Sequence, residues 1–300
     1  MTDFRTAVAI LGPGAVGGSL AVRLVGAGFR TICVARPDTV ALMALAGIVL
    51  EVDGGQPLTA RPEVTERLVQ PVSLLLVTVK APFLEEALER IDPAAVEKGV
   101  VLPLLNGLEH MEPLRERFDG RVAAGSISHF EAYRVGRMQI VQTTPSAVIT
   151  IASDDLSARE LERTAGILRA VGIETKIEED EKRVLWRKTA RLAVLSAATA
   201  LTRRPVGELR DDLVWRRRLE AAIGEACAVA AADGVNLLPS SQWAIIASMD
   251  HDLTTSTARD VAAGRPSELD AIAGSVLRAG ERLGVPCPVL SELVAETTPL

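Results

Sequence analysis

Residues 6–36, TAVAILGPGAVGGSLAVRLVGAGFRTICVAR, confine the fold more tightly than any other stretch. They read as an apolar strand at 7–11, a glycine turn, a helix over about 16–27, a second apolar strand at 31–35, and an arginine. Gly12, Gly14 and Gly17 hold G-x-G-x-x-G spacing, and each glycine has its own task. Gly12 permits a tight turn, Gly14 removes the side chain that would keep a pyrophosphate off the backbone, and Gly17 lets the helix pack close to the strand. The helix N-terminus then presents unpaired N–H groups and a partial positive charge to the phosphates. Alone the motif is weak, but between an apolar strand and a helix it predicts a dinucleotide site over Gly12, Pro13, Gly14, Ala15, Val16 and Gly17.

Arg36 selects the dinucleotide. An NAD site usually places an acid at the ribose 2′-OH about twenty residues past the glycines; here a guanidinium ends the second strand. Its charge-assisted bonds to a 2′-phosphate are worth about 1.5–3 kcal/mol, roughly tenfold to a hundredfold in preference, so NADP(H) is expected over NAD(H). Asp38, two residues on, opposes this preference.

Three hundred residues suffice for two domains with separate cores. No apolar run reaches the roughly eighteen residues of a membrane span; 192–201 is too short and reads as a buried helix. The N-terminal apolar run, broken by the glycine turn and lacking a basic leader, does not read as a signal peptide. A net charge of −6 and few aromatic residues argue against nucleic acid as a partner. Cys33, Cys227 and Cys287 are scattered without C-x-x-C spacing, so no disulfide framework or zinc site is expected, and a cytoplasmic location fits. His110, His129 and His251 lack metal-ligand spacing, and no Ser-His-Asp or Cys-His set is visible.

Past Arg36 the pattern predicts a helix at 39–46, a hairpin of 48–51 with 56–59 across Asp53-Gly54-Gly55, and a buried strand at 73–79 ending at Lys80. A helix at 83–90 and a strand at 100–105 ending at Asn106-Gly107 follow. Ligands of open α/β sheets gather outside the carboxyl ends of the strands, which makes Lys80 and Asn106 candidates for cofactor or substrate contact; a solvated lysine and a turn-forming asparagine are the alternatives. Residues 121–126 are expected to close the parallel set, and 129–135, 138–141 and 147–152 read as antiparallel strands. A helix at 157–170 has Ser157 as N-cap and Glu160 completing a capping box, and 174–177 is the last strand. After the acidic residues 178–181 strand signals stop, giving an expected division into 1–179, dinucleotide-binding, and 180–300, all helical.

The second part opens with a helix at 181–201, on which Lys188, Leu192, Ser196 and Thr199 share one face. The chain holds five lysines against twenty-eight arginines, and Lys188 is flanked by Arg183, Arg187 and Arg191. Burial and neighbouring guanidiniums would both lower its pKa toward a range useful for proton transfer; a snorkelling lysine is the alternative. Helices at 215–233, 240–257 and 267–283 follow, and the break at 262–266 sets Glu268 in a first helical turn, where the helix dipole also favours a carboxylate, with Ser256 before the break.

Together the glycine motif, Arg36, V-T-x-K ending at Lys80, N-G at Asn106, L-W-R-K ending at Lys188, and Ser256 with S-E-L-D around Glu268 make the chain resemble the ketopantoate (2-dehydropantoate 2-) reductase family over nearly its whole length. The resemblance implies an α/β Rossmann-type N-terminal domain plus an all-helical C-terminal domain, with the active site in the cleft between them. It implies NADPH-dependent reduction of a small-molecule 2-oxo acid to the 2-hydroxy acid, of the kind used in pantothenate biosynthesis, with a homodimer left open. By position Lys188 is the implied general acid, Glu268 the carboxylate working with it, Ser256 a substrate contact, and Asn106 and Lys80 the residues that hold the nicotinamide end and orient the carbonyl. Where the family often carries substrate-contacting asparagines, this chain has Leu192, Ser196 and Leu253. An apolar wall discriminates weakly, so a more apolar oxo acid, or another carbonyl or imine, is expected. A protein that binds NADP(H) without turnover is the reading from another class; the retained Lys188 and Glu268 favour catalysis.

Overall fold

The computed structural model describes residues 7–136 and 138–297; Thr6 lies outside them. The chain divides into two compact units, Met1–Leu105 with His110–Val184, and Asn106–Glu109 with Leu185–Leu300.

The first unit is built on a five-stranded parallel sheet ordered Glu63–Thr65, Arg30–Val34, Ala7–Leu11, Leu74–Val77, Val100–Pro103. Ala7–Leu11 and Leu74–Val77 are apolar throughout because both faces of these strands are covered, and their side chains are buried. Strand order reverses between these two, and the glycine turn leaves Leu11 at that switch point, opening the helix Ala15–Gly26. The hairpin forms from Ile48–Val52 and Leu58–Ala60, with Asp53 and Gly54 at positive φ. Ser157 caps Ala158–Ala170 and Glu160 returns the bond to the Ser157 N–H, completing the expected box.

Residues 121–126 do not close the parallel sheet. Val101 donates to Arg121 O and Ala123 donates to Val101 O, but the next rung would need an N–H from Pro103. The ladder therefore stops at a single bridge, Val101 with Val122. The chain then forms Ala124–Ser128, antiparallel to Val148–Ala152, which in turn pairs parallel with Glu174–Ile177. The antiparallel set expected downstream is likewise divided. Ala132–Arg134 and Gln139–Gln142 pair with each other, and Gln139–Gln142 adds parallel to Ile48–Val52.

In the second unit the helices are Glu181–Thr202, Val206–Asp211, Leu213–Ala232, Pro239–Ala247, Ser256–Ala262, Ser275–Leu283 and Pro288–Thr297, the first of which begins in the other unit. They enclose a core of alanine, valine and leucine around Trp186, whose indole N–H donates to Asp233 Oδ2 at 2.8 Å. The expected helix at 240–257 breaks after Ala247. Its carbonyls are used elsewhere: His251 O and Leu253 O accept the N–H groups of Gly207 and Val206, which open Val206–Asp211. A side chain on Gly207 would collide with His251, so this close crossing depends on glycine. Asp250 accepts the Asp252 N–H at 2.9 Å in a local turn, and Thr255 accepts the Ala258 N–H to cap the next helix. The expected helix at 267–283 begins with a widened π turn, Asp270–Gly274, immediately after Glu268 and Leu269.

Candidate active site

The glycine turn has the geometry its sequence demands. Gly12 sits at φ +85° and donates to Val34 O at 3.1 Å, bracing the turn on the neighbouring strand. A Cβ on Gly17 would lie 2.6 Å from Gly12 O and collide with Thr78 Oγ1, so the helix approaches the strand at glycine distance. A Cβ on Gly14, by contrast, meets only Gly12 O at 4.0 Å, which leaves its outer side open. No side chain caps Ala15–Gly26 and its first turn carries no acid, so the N–H groups there suit an incoming anion. Pro13 is buried, and Ala15 and Val16 are half-buried beside it. A pyrophosphate fits these residues.

Thr78 is the residue of this turn that the glycine pattern does not reveal. Its hydroxyl donates to Leu11 O and Gly12 O at 3.1 and 2.8 Å, tying the turn to the strand Leu74–Val77. The V-T-x-K motif carries it into view. Lys80 precedes the short turn Ala81–Phe83 and is half-buried. Arg36 is exposed at the N-cap of Pro37–Ala46, its guanidinium 5.8 Å from the Phe83 ring centroid.

In the second unit the helix Glu181–Thr202 presents Lys188, with Leu192 half-buried one turn on and Ser196 fully buried two turns on. Burial pushes the Lys188 pKa down to about 8, and Arg191 pushes the same way against the pull of Glu268. Arg183 and Arg187 are exposed, whereas Arg191 is half-buried and its charge acts on the lysine. Glu268 is 6% exposed, and its Oε2 accepts a hydrogen bond from Asn106 Nδ2 at 3.3 Å. Asn106, read from sequence as a sheet-edge residue, thus belongs to the helical unit, where a side chain on the adjacent Gly107, at φ +95°, would collide with Ala271 O. Asn106, Glu268 and Lys188 form one polar chain: an amide orients a carboxylate whose charge favours the ammonium.

Ser256 is the exposed first residue of Ser256–Ala262, while its neighbour Thr255 is the N-cap. Thr255 Oγ1 and Thr199 Oγ1 are 2.8 Å apart, which joins this segment to the lysine-bearing helix. Leu253 and Leu192 are half-buried against the helical core. Ser196 Oγ has no hydrogen-bond partner among the described residues. His110 is buried and its pKa is pushed to about 4, leaving a neutral imidazole. Among the described residues no group of three or more His, Cys, Asp or Glu side chains is placed to hold a metal ion.

Comparison with known proteins places these features in a family. The ketopantoate reductase PanE/ApbA model matches residues 8–155, and its C-terminal companion matches 180–299. The chain belongs to the ketopantoate reductase family. It is 29% identical to the 2-dehydropantoate 2-reductase of Caulobacter vibrioides, covering 97% of each chain. The crystal structure of a PanE/ApbA family ketopantoate reductase from Ralstonia eutropha is 28% identical with a TM-score of 0.88, again over 97% of each chain. A D-mandelate dehydrogenase in ternary complex with NADH and anilino(oxo)acetate has the same TM-score at 20% identity over 97% of each chain, and shares the fold. The matched spans reach from the first sheet strand to the last helix, so the Rossmann-type sheet and the helical unit are both features of the family. Among the described residues no helix is long and apolar enough to cross a membrane.

Proposed function

We propose that this chain is an NADPH-dependent reductase of a 2-oxo acid, with Lys188 as general acid. The observation that carries the reading is the polar chain of Asn106, Glu268 and Lys188: burial lowers the pKa of this half-buried lysine to about 8, while Glu268 pulls against that and Asn106 holds Glu268 in place. A lysine kept only for solubility needs neither burial nor a buried carboxylate beside it. The bound cofactor would supply hydride to the keto carbon; the open side of Gly14, the uncapped helix N-terminus and Arg36 are the groups that would hold it. As charge builds on the keto oxygen, Lys188 donates first a hydrogen bond and then a proton, a contribution of about 10² to 10⁴ in rate. Glu268 keeps the donor protonated near neutral pH, and Asn106 keeps Glu268 oriented. Ser256 and Asn106 are assigned to the substrate and Lys80 to the nicotinamide end. This requires a nicotinamide held at the glycine turn to reach Lys188. Three free, buried cysteines fit a reducing cytoplasm.

Leu192 and Leu253 favour a second reading within the same chemistry. Neither side chain can hydrogen-bond a polar substituent, so the preferred substrate has an apolar side chain, or is another carbonyl or imine of that character. Oxidation of NADPH with a panel containing ketopantoate and straight-chain 2-oxo acids tests both. Turnover by wild type and its loss in Lys188→Ala, with NADPH binding retained, is the expected result; binding without turnover by either protein would identify a non-catalytic NADP(H)-binding protein. Turnover of ketopantoate far above the straight-chain acids would show that the two leucines do not set specificity.

A further inference from the structure

Arg191 is a cation without an acid. It lies one turn beyond Lys188 on the same helix, is half-buried, and acts on the lysine through its charge. Its Nη1 donates to the Arg187 backbone carbonyl and to Gln242 Oε1, the latter at 3.2 Å, and both acceptors are uncharged. Among the described residues no carboxylate pairs with it, and its pKa is pulled down first by burial and then by Arg187, with no acid pulling the other way. Glu268, the carboxylate that acts on Lys188, has no such effect on Arg191. Two neighbouring cations drawn partly out of water oppose each other and the fold, so a guanidinium kept in that position is suited to an anion that arrives from outside. Gln242 is itself buried on Pro239–Ala247 and fixes one arm of the fork.

We propose that Arg191 binds the carboxylate of the substrate whose keto oxygen meets Lys188. The inference rests on the reading of Lys188 as general acid. In a 2-oxo acid the two groups sit on adjacent carbons, and residues three apart on a helix have Cβ atoms about 5–6 Å apart, so one small ligand can engage both cationic heads. Leu192 flanks Lys188 on its other side and gives the substituent an apolar surface. The substrate class is then a 2-oxo monocarboxylate with an apolar side chain.

The test compares a 2-oxo acid with its neutral 2-oxo amide. Wild type is expected to prefer the acid by more than about tenfold in kcat/KM. Arg191→Gln should raise KM for the acid by about tenfold to a hundredfold, leave KM for the amide unmoved, and lower kcat far less than kcat/KM. Arg191→Lys, which keeps the charge and loses the fork, should fall between the two. If wild type reduces neither compound, the reading of Lys188 fails and this assignment fails with it. If wild type reduces the acid but Arg191→Gln affects acid and amide equally, or neither, Lys188 stands and the Arg191 assignment falls. Should Arg191→Gln not fold, the wild-type ratio decides: strong preference for the acid supports the assignment, and equal use of acid and amide overturns it.

Discussion

Replacing Glu268 by glutamine isolates one charge in the proposed mechanism. The amide is nearly isosteric and its Oε1 still accepts from Asn106 Nδ2, so the main loss is the negative charge that favours the Lys188 ammonium. An opposite charge at close range is typically worth about one to three pKa units. Starting from about 8, the lysine of the variant would titrate roughly between 5 and 7. The sign follows from which form works: the ammonium donates the proton, so activity falls as pH rises through the Lys188 pKa. At about pH 7.5 the protonated fraction would drop from about three quarters to about one quarter for a one-unit shift, and to a few per cent for two units. Steady-state kcat against pH, at saturating NADPH and 2-oxo acid, reads this directly. The basic limb of the variant should move to lower pH, with rates recovering toward wild type on the acid side. A limb that stays in place, or a loss equal at every pH, would refute the electrostatic role of Glu268.

The other perturbations are independent of one another. Arg191→Gln removes the guanidinium that depresses Lys188, so its basic limb should move to higher pH, opposite in sign to Glu268→Gln, in the same pH-rate measurement. Arg36→Asp should lose most of a tenfold to hundredfold preference for NADPH over NADH, measured as the ratio of dissociation constants by fluorescence titration; an unchanged ratio would place the 2′-phosphate elsewhere. Gly17→Ala puts a Cβ 2.6 Å from Gly12 O, and should cost about 1–3 kcal/mol of stability and weaken dinucleotide binding, checked by denaturant unfolding with and without NADPH. Ser157→Ala opens the capping box and should cost about 1 kcal/mol in the same unfolding assay without touching turnover.

Local chemistry in this chain was legible where the backbone has few choices. The glycine turn, the Ser157 cap and the shared face of Lys188 and Ser196 each follow from spacing, because positive φ, an orphan N–H and a 3.6-residue period leave one solution. Long-range choices were not. The parallel ladder ends because Pro103 has no N–H for a strand that arrives some twenty residues later, and a local pattern at 121–126 carries no trace of that partner. The helix expected through 240–257 breaks because its carbonyls serve the start of Val206–Asp211, a demand made from elsewhere in the chain. At the site, Lys188 and Glu268 were readable as types, whereas the grouping of Asn106 with Glu268, 162 residues apart, is made by the tertiary fold and leaves no local pattern. Arg191 was visible only as one of three arginines around Lys188; burial separates it from Arg183 and Arg187.

The proposed reduction depends on an ammonium whose proton is loosely enough held to be given away. Five lysines in the chain make the measurement simple: carbon-13 labelling at the lysine Cε and titration by NMR, with Lys188 assigned by its absence in Lys188→Ala. A Lys188 midpoint near 8, well below its ordinary 10.5, is the predicted result. A midpoint at 10.5 would contradict the claim that this residue is poised to act as the acid.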